Sequence, residues 1–289
     1  MDLTKPGVWY FTDGMSVTEA AEAAQRIESL GYSALWIPET TGRHPFAHAS
    51  WLLANTSDLI VATGIASIYH REPGVTLAAQ KTLAEQSGNR FLLGLGVSHK
   101  PMVEGVRGLA YGKPVATMRS YLEKMNASPY TGPNTEADSP CVIAALGPKM
   151  LELASDACRG AHPYFTSPDH TAMARGIMGA DAWLCVEQKV ILCEDPGKAR
   201  TVARQTAQMY MALPNYRNNW LRMGLHESDI EGGGSDRFVD ATFAWGDAAA
   251  IRERIQAHYD AGATHVCIQP VHPDAPFGTL HWEALEALA

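Results

Sequence analysis

Short apolar runs alternate with helical patterns along the whole chain, and that alternation restricts the fold to an α/β class built on a parallel sheet. The first unit sets the style. Residues 8–11 (Val-Trp-Tyr-Phe) read as a buried strand. Ser16-Val17-Thr18-Glu19 then forms a capping box, and Val17, Ala20, Ala21, Ala24, Ile27 and Leu30 recur at helical spacing until Gly31 stops the helix. Further strands are expected at 34–38, 59–66, 91–96, 141–145, 160–163, 189–193 and 264–269, with helical patterns between them. Strands this apolar, each followed by a covering helix, are buried on both faces. Eight such units within 289 residues of one composition class predict an α/β fold, a single (β/α)8 TIM barrel with insertion segments. The expected organisation is one domain over residues 1–289. Residues 214–240, which contain Gly232-Gly233-Gly234, are expected to form an inserted lid.

Bulk properties exclude several functions. A net charge of −8 disfavours a phosphate backbone as partner, so no nucleic acid is expected. No apolar run approaches the ~20 residues of a membrane span, and the amino end has no apolar signal core. The five scattered cysteines include no Cys-x-x-Cys pair and read as reduced thiols, which points to a cytoplasmic protein.

The chemistry is expected at the carboxyl end of the barrel. The strand at 59–66 runs without an ordinary turn into Ser67-Ile68-Tyr69-His70-Arg71-Glu72 before Pro73-Gly74. The equivalent loops bring Glu39, Thr40, Arg43 and His44 towards Val97, Ser98, His99 and Lys100, and towards Leu146, Gly147, Pro148, Tyr164, Gln269 and His272. Gly147-Pro148-Lys149 opens a helix directly after a strand, where free backbone N–H groups suit an anion. Gly94-Leu95-Gly96-Val97-Ser98-His99 lacks the last glycine of a dinucleotide fingerprint and sits on a fourth strand, which argues against that role. His44 and His48 have helical metal-pair spacing, but Pro45 lies between them and no His-Glu-x-x-His pattern is present, so no metal is expected.

Three segments carry a family resemblance: Thr63-Gly-Ile-Ala-Ser-Ile68, Arg90-Phe-Leu-Leu-Gly-Leu-Gly-Val-Ser-His99 and Ala144-Ala-Leu-Gly-Pro-Lys-Met150. With the element order and the late run 262–269, the chain resembles the bacterial luciferase-like flavin and deazaflavin oxidoreductases, closest to their actinobacterial coenzyme F420-dependent branch. The resemblance implies a non-proline cis peptide supporting the cofactor ring, matched here to Ala66–Ser67. It implies a cofactor site made of Glu39, Thr40, Ala66, Ser67, Ile68, Gly96, Val97, Ser98, His99, Ala145, Leu146, Gly147, Pro148, Lys149 and Met150. Lys149, Arg43 and Lys100 would supply local positive charge. Some deazaflavin relatives carry an Asp-His pair after strand two and an acid after strand four, both absent here. His44, His99 and Glu39 are therefore the candidate catalytic groups. The implied activity is hydride transfer between coenzyme F420 and a small organic substrate, in a protein expected to be a homodimer. The alternatives are an FMN-dependent monooxygenase fed by a separate flavin reductase, and a non-catalytic flavin- or deazaflavin-binding protein.

Overall fold

The computed structural model describes residues 1–133 and 138–289. Among the described residues, ten strands form one parallel sheet: β1 (Gly7–Trp9), β2 (Ala34–Ile37), β3 (Ile60–Thr63), β4 (Ala66–Ser67), β5 (Phe91–Gly96), β6 (Cys141–Ile143), β7 (Gly160–Ala161), β8 (Trp183–Leu192), β9 (Phe243–Gly246) and β10 (His265–Pro270). The order β10-β1-β2-β3-β5-β6-β7-β8 closes through a β10–β8 pairing. The result is an eight-position barrel in which β3 and β4 share one position. The helices are α1 (Val17–Ser29), α2 (Pro45–Ala54), α3 (Pro73–Ser87), α4 (Pro114–Ala127), α5 (Pro148–Ala157), α6 (Pro168–Met178), α7 (Pro196–Met211), α8 (Pro214–Arg222), α9 (Glu227–Ile230), α10 (Asp236–Thr242), α11 (Ala248–Asp260) and α12 (Trp282–Leu288).

The two-residue period of each strand divides the core in two. Trp9, Ala34, Trp36, Ile60, Ala62, Leu92, Val142, Cys185 and Cys267 fill the lumen. Their neighbours Val8, Leu35, Val61, Phe91, Leu93, Ile143, Val186 and Ile268 pack outward against the helices. The capping box at Ser16 and Glu19 forms as expected, with Glu19 N–H donating to Ser16 Oγ and Ser16 N–H to Glu19 Oε2.

Four parts of the chain differ from the sequence reading. The third strand is not continuous over 59–66: it stops at Thr63 and resumes at Ala66. The seventh begins at Trp183, six residues before the expected 189. Its apolar pattern is masked by Glu187, Gln188 and Lys189, which are buried by pairing rather than by being apolar. Residues 243–246 add an unexpected strand, β9, on the upper part of β8. The segment 214–240, a polar, aromatic and glycine-rich stretch expected as an inserted lid, is largely helical. Tyr216, Trp220, Ile230 and Phe238 join Phe165, Tyr210 and Phe243 in a second apolar cluster beside the barrel mouth.

Candidate active site

The mouth is organised around the break between β3 and β4. The cis peptide joins Gly64 to Ile65, not Ala66 to Ser67. Ala66 and Ser67 cannot form the bulge because they are regular strand, in register with Leu95 and Gly96. Ala66 packs into the outer core, and Ser67 is only 3 % exposed. The bulge falls two residues earlier, on the residue without a side chain. A Cβ on Gly64 would lie 2.6 Å from Trp9 Nε1, and that same Nε1 donates to Gly64 O at 2.9 Å. Ile65 turns over the inward faces of β5. Its Cδ1 lies 2.4 Å from where a Cβ on Gly96 would be, and the Ala144 methyl lies 3.4 Å from that point. Ile65, Gly94, Gly96 and Ala144 thus make a low, apolar floor, and Ile65 is the half-buried member of its segment.

A polar wall stands beside this floor. Glu39, at the end of β2, accepts from Ser67 N–H at 2.7 Å and from Arg71 Nη1 at 3.0 Å, and lies 3.0 Å from His70 Nδ1. Burial alone would raise its pKa, but the Arg71 and His70 hydrogen bonds hold it below the usual glutamate range. Arg71 also lies over the Phe46 ring, 4.7 Å from its centroid. His44 caps α2. Its Nδ1 is 3.3 Å from Ala47 N–H and its Nε2 is 3.2 Å from Arg71 Nε–H. A neutral imidazole has one lone-pair nitrogen, so only one of these bonds holds at a time. Burial, then Arg71, lowers the His44 pKa.

The other expected site residues divide into those that face the mouth and those that support it. Thr40 donates to Asp13 Oδ2 at 2.7 Å, and its carbonyl accepts from Arg107. Arg43 N–H also binds Asp13, so this carboxylate ties the loop after β2 to the loop after β1. Val97, Ser98 and His99 follow β5, with Ser98 at φ 54°. His99 meets the Tyr216 ring at 5.6 Å, and burial lowers its pKa while Asn215 opposes the shift. Ile68, Ala145 and Met150 are core residues, and Lys149 points to solvent. Lys100 pairs with Glu104 instead of facing the mouth. Gly147 caps α5 without a side-chain bond, and Pro148 is the first helical residue. The cation beside this helix start is Arg222 of α8, whose guanidinium lies 3.6–3.8 Å from a Cβ placed on Gly147. Sequence reasoning offered Lys149 because it is adjacent in the chain; Arg222 reaches Gly147 from 75 positions away, beyond any local signal.

The lumen below the mouth contains a charged pair the sequence reading missed. Lys189 Nζ lies 3.2 Å from both Glu187 oxygens, and both side chains are fully buried. Lys189 sits over the rings of Tyr164 and Phe165, 3.7 and 4.0 Å from their centroids. Phe165 N–H donates to Glu187 at 2.8 Å. Burial pushes Lys189 down to about 8 and Glu187 up, while their attraction opposes both shifts. The one available signal was the spacing Cys185-x-Glu187-x-Lys189, which puts both charges on a single face of the strand.

Among the described residues, no group of three or more His, Cys, Asp or Glu is gathered as metal ligands. His48 instead pairs with Thr12 through Nε2 at 2.9 Å. No described helix is long and apolar enough to cross a membrane. A cleft of about 910 Å³ opens at the opposite end of the barrel, lined by Cys141, Cys158, Arg159 and Trp183. It lies at the amino ends of β6 and β8, away from the loops described above.

Comparison with known proteins agrees with this architecture. The model of the luciferase-like monooxygenase family matches residues 1–265. A protein of Mycobacterium tuberculosis named as a putative coenzyme F420-dependent oxidoreductase is 27 % identical over 233 residues, covering 66 % of this chain and 67 % of its own. The 5,10-methylenetetrahydromethanopterin reductase of Archaeoglobus fulgidus is 26 % identical over 310 residues, covering 91 % and 93 %. Among solved structures, an F420-dependent secondary alcohol dehydrogenase in complex with an F420-acetone adduct superposes with a TM-score of 0.74 at 16 % identity, covering all of both chains. At that identity the superposition speaks for the fold alone.

Proposed function

The chain belongs to the luciferase-like monooxygenase family, and on that premise we propose that it is an oxidoreductase moving a hydride between coenzyme F420 and a small organic substrate. The observation that carries the reading is the floor of Ile65, Gly94, Gly96 and Ala144, flanked by the Glu39–Arg71–His70 wall. The glycines at 94 and 96 make room for the Thr63 carbonyl and the Ile65 side chain, and a planar ring would lie against Ile65. The F420 dependence in the names of the M. tuberculosis protein and the alcohol dehydrogenase supports the choice of cofactor. When bound, the deazaflavin supplies the hydride chemistry.

The chain's own residues would hold, orient and exclude water. Arg222 and the uncapped start of α5 would meet the anionic tail, where a helix amino end and a guanidinium act together. Glu39, fixed by Arg71 and His70, would orient the loop carrying Ser67 rather than carry a proton. His44 is taken up by either the α2 cap or Arg71, one at a time, which suits placement of the wall. His99 is the proposed proton-handling group, since its depressed pKa keeps the imidazole neutral and able to accept at neutral pH. The helices of 214–240 would close over the substrate, and a cytoplasmic homodimer belongs to the same reading.

The test is turnover under argon. Reduced F420 is mixed with the protein and a panel of ketones, aldehydes and conjugated carbonyl compounds, and return of the oxidised deazaflavin absorbance is followed. Oxidation that depends on both protein and a panel member supports the reading. Oxygen-dependent product formation with FMN and a flavin reductase, without any F420 oxidation, overturns it.

A further inference from the structure

A chain of three side chains at the mouth ends on an unused donor. Tyr164, in the loop after β7, has its hydroxyl 2.7 Å from that of Tyr210 on α7 and 2.8 Å from Gln269 Oε1 in β10. Each phenol has one proton to give. Tyr210 has no other hydroxyl partner among the described residues, so its proton goes to Tyr164, and the Tyr164 proton goes to Gln269 Oε1. The reverse order would leave the Tyr210 proton without an acceptor among aromatic rings. The chain therefore fixes which way the amide faces: Oε1 towards Tyr164, Nε2 away from it. Gln269 is 2 % exposed, yet its Nε2 donates to no described group. Gln269 follows the lumen-facing Cys267 at the two-residue strand period, one residue before the carboxyl end of β10, and this places its amide in the upper lumen.

The surroundings say what would accept from it. Trp9 lies 4.9 Å from the Tyr164 ring and donates to Gly64 O, so the amide is a short step from the proposed ring floor. Phe11 packs on Trp9 at 4.8 Å, with Phe277 beyond it at 5.5 Å. Lys189 lies opposite Gln269 in the strand register, and Glu187 neutralises its charge. On this aromatic side of the mouth, a fixed N–H donor above a neutralised ion pair favours an uncharged molecule with an acceptor oxygen.

We propose that Gln269, oriented by Tyr164 and Tyr210, is a specificity-determining residue that donates from Nε2 to the carbonyl oxygen of an uncharged, largely apolar substrate. This rests on the hydride-transfer reading for the identity of the site. The test uses F420-loaded protein and three probes of one shape: cyclohexanone, methylenecyclohexane and cyclohexanecarboxylate. Affinities are read by ligand-observed NMR, and F420 binding is titrated separately for each variant. The wild type should prefer the ketone over the alkene roughly tenfold, the usual weight of one buried neutral hydrogen bond. Gln269→Leu and Gln269→Met should bring that ratio near one, and Tyr164→Phe should reduce it by freeing the amide to turn. The ratio is internal to each variant, so partial loss of folded protein leaves it readable. An unchanged ratio in both Gln269 variants, or a wild-type preference for the carboxylate, overturns the proposal. If the wild type fails to bind F420, the hydride-transfer reading falls, while the same ratio on cofactor-free protein still decides the role of Gln269.

Discussion

His265 lies wholly inside the barrel and is satisfied only as a neutral ring. Its Nδ1 is 3.0 Å from Leu3 O and its Nε2 is 3.1 Å from Trp36 Nε1. The indole N–H can only donate, so Nε2 must accept and Nδ1 must carry the proton. A second proton would set two donors against each other, and burial lowers the pKa from 6.5 to about 4. The folded value is depressed, so this group contributes stability that is present above the unfolded pKa of 6.5 and is lost as pH falls towards about 4. Between pH 7 and pH 5 the unfolded chain takes up a proton that the folded chain refuses, at a cost of ~1.8 kcal/mol for this one histidine. His162 and His170, also about 4, and His258, about 3, are equally buried and push the same way. Urea unfolding at pH 7, 6 and 5 on the wild type and on His265→Gln measures the term directly. Glutamine retains a donor and an acceptor but does not titrate. The wild type should lose ~1–2 kcal/mol more than the variant over this interval, whatever the variant's baseline stability. Equal losses in the two proteins would refute a neutral, proton-refusing His265.

Three further perturbations follow from the mouth and the lumen. Lys189→Met leaves the Glu187 carboxylate buried without its cation and should cost ~3–5 kcal/mol by urea unfolding. The double variant Glu187→Gln with Lys189→Met should recover most of that, and no recovery would mean the pair is not the unit that matters. Arg71→Met removes two of the donors on Glu39 and should cost ~3 kcal/mol. The folded pKa of Glu39 is lowered, so its contribution is lost as pH falls below the ordinary glutamate range, and the gap between wild type and variant should close in acid. Gly64→Ala forces a methyl against Trp9 and His162 and should cost ~1–3 kcal/mol in a thermal melt, whereas Gly14→Ala, with open space around it, should cost almost nothing.

The barrel was legible because its signals are local. Alternating runs such as 91–96, and the capping box at Ser16 and Glu19, state their structure within a few residues. The bulge was legible to within two residues. Thr63-Gly-Ile-Ala-Ser identifies the segment, but the break is placed by a distant ring, Trp9, which leaves no room for a side chain at 64. What was not legible depends on partners far apart in sequence. Arg222 reaches Gly147 only once α8 has docked, and the polar, aromatic, glycine-rich segment that carries it shows no helical period that would place α8. Glu187 and Lys189 look like surface residues until each is seen to neutralise the other. Glu39 was expected at the site from its place after β2, but its partners Arg71 and His70 decide that it is held as a fixed carboxylate.

The central claim is that the floor at Ile65, with its polar wall and the Arg222 corner, is a deazaflavin site. Titrating the purified protein with oxidised F420 and, separately, with FMN, while following the fluorescence of each, tests it most directly. The account predicts saturable F420 binding that is at least tenfold weaker in Arg222→Ala, since a charge-assisted contact to the anionic tail is lost. Tight FMN binding with no F420 binding, or F420 binding unchanged by Arg222→Ala, would contradict it.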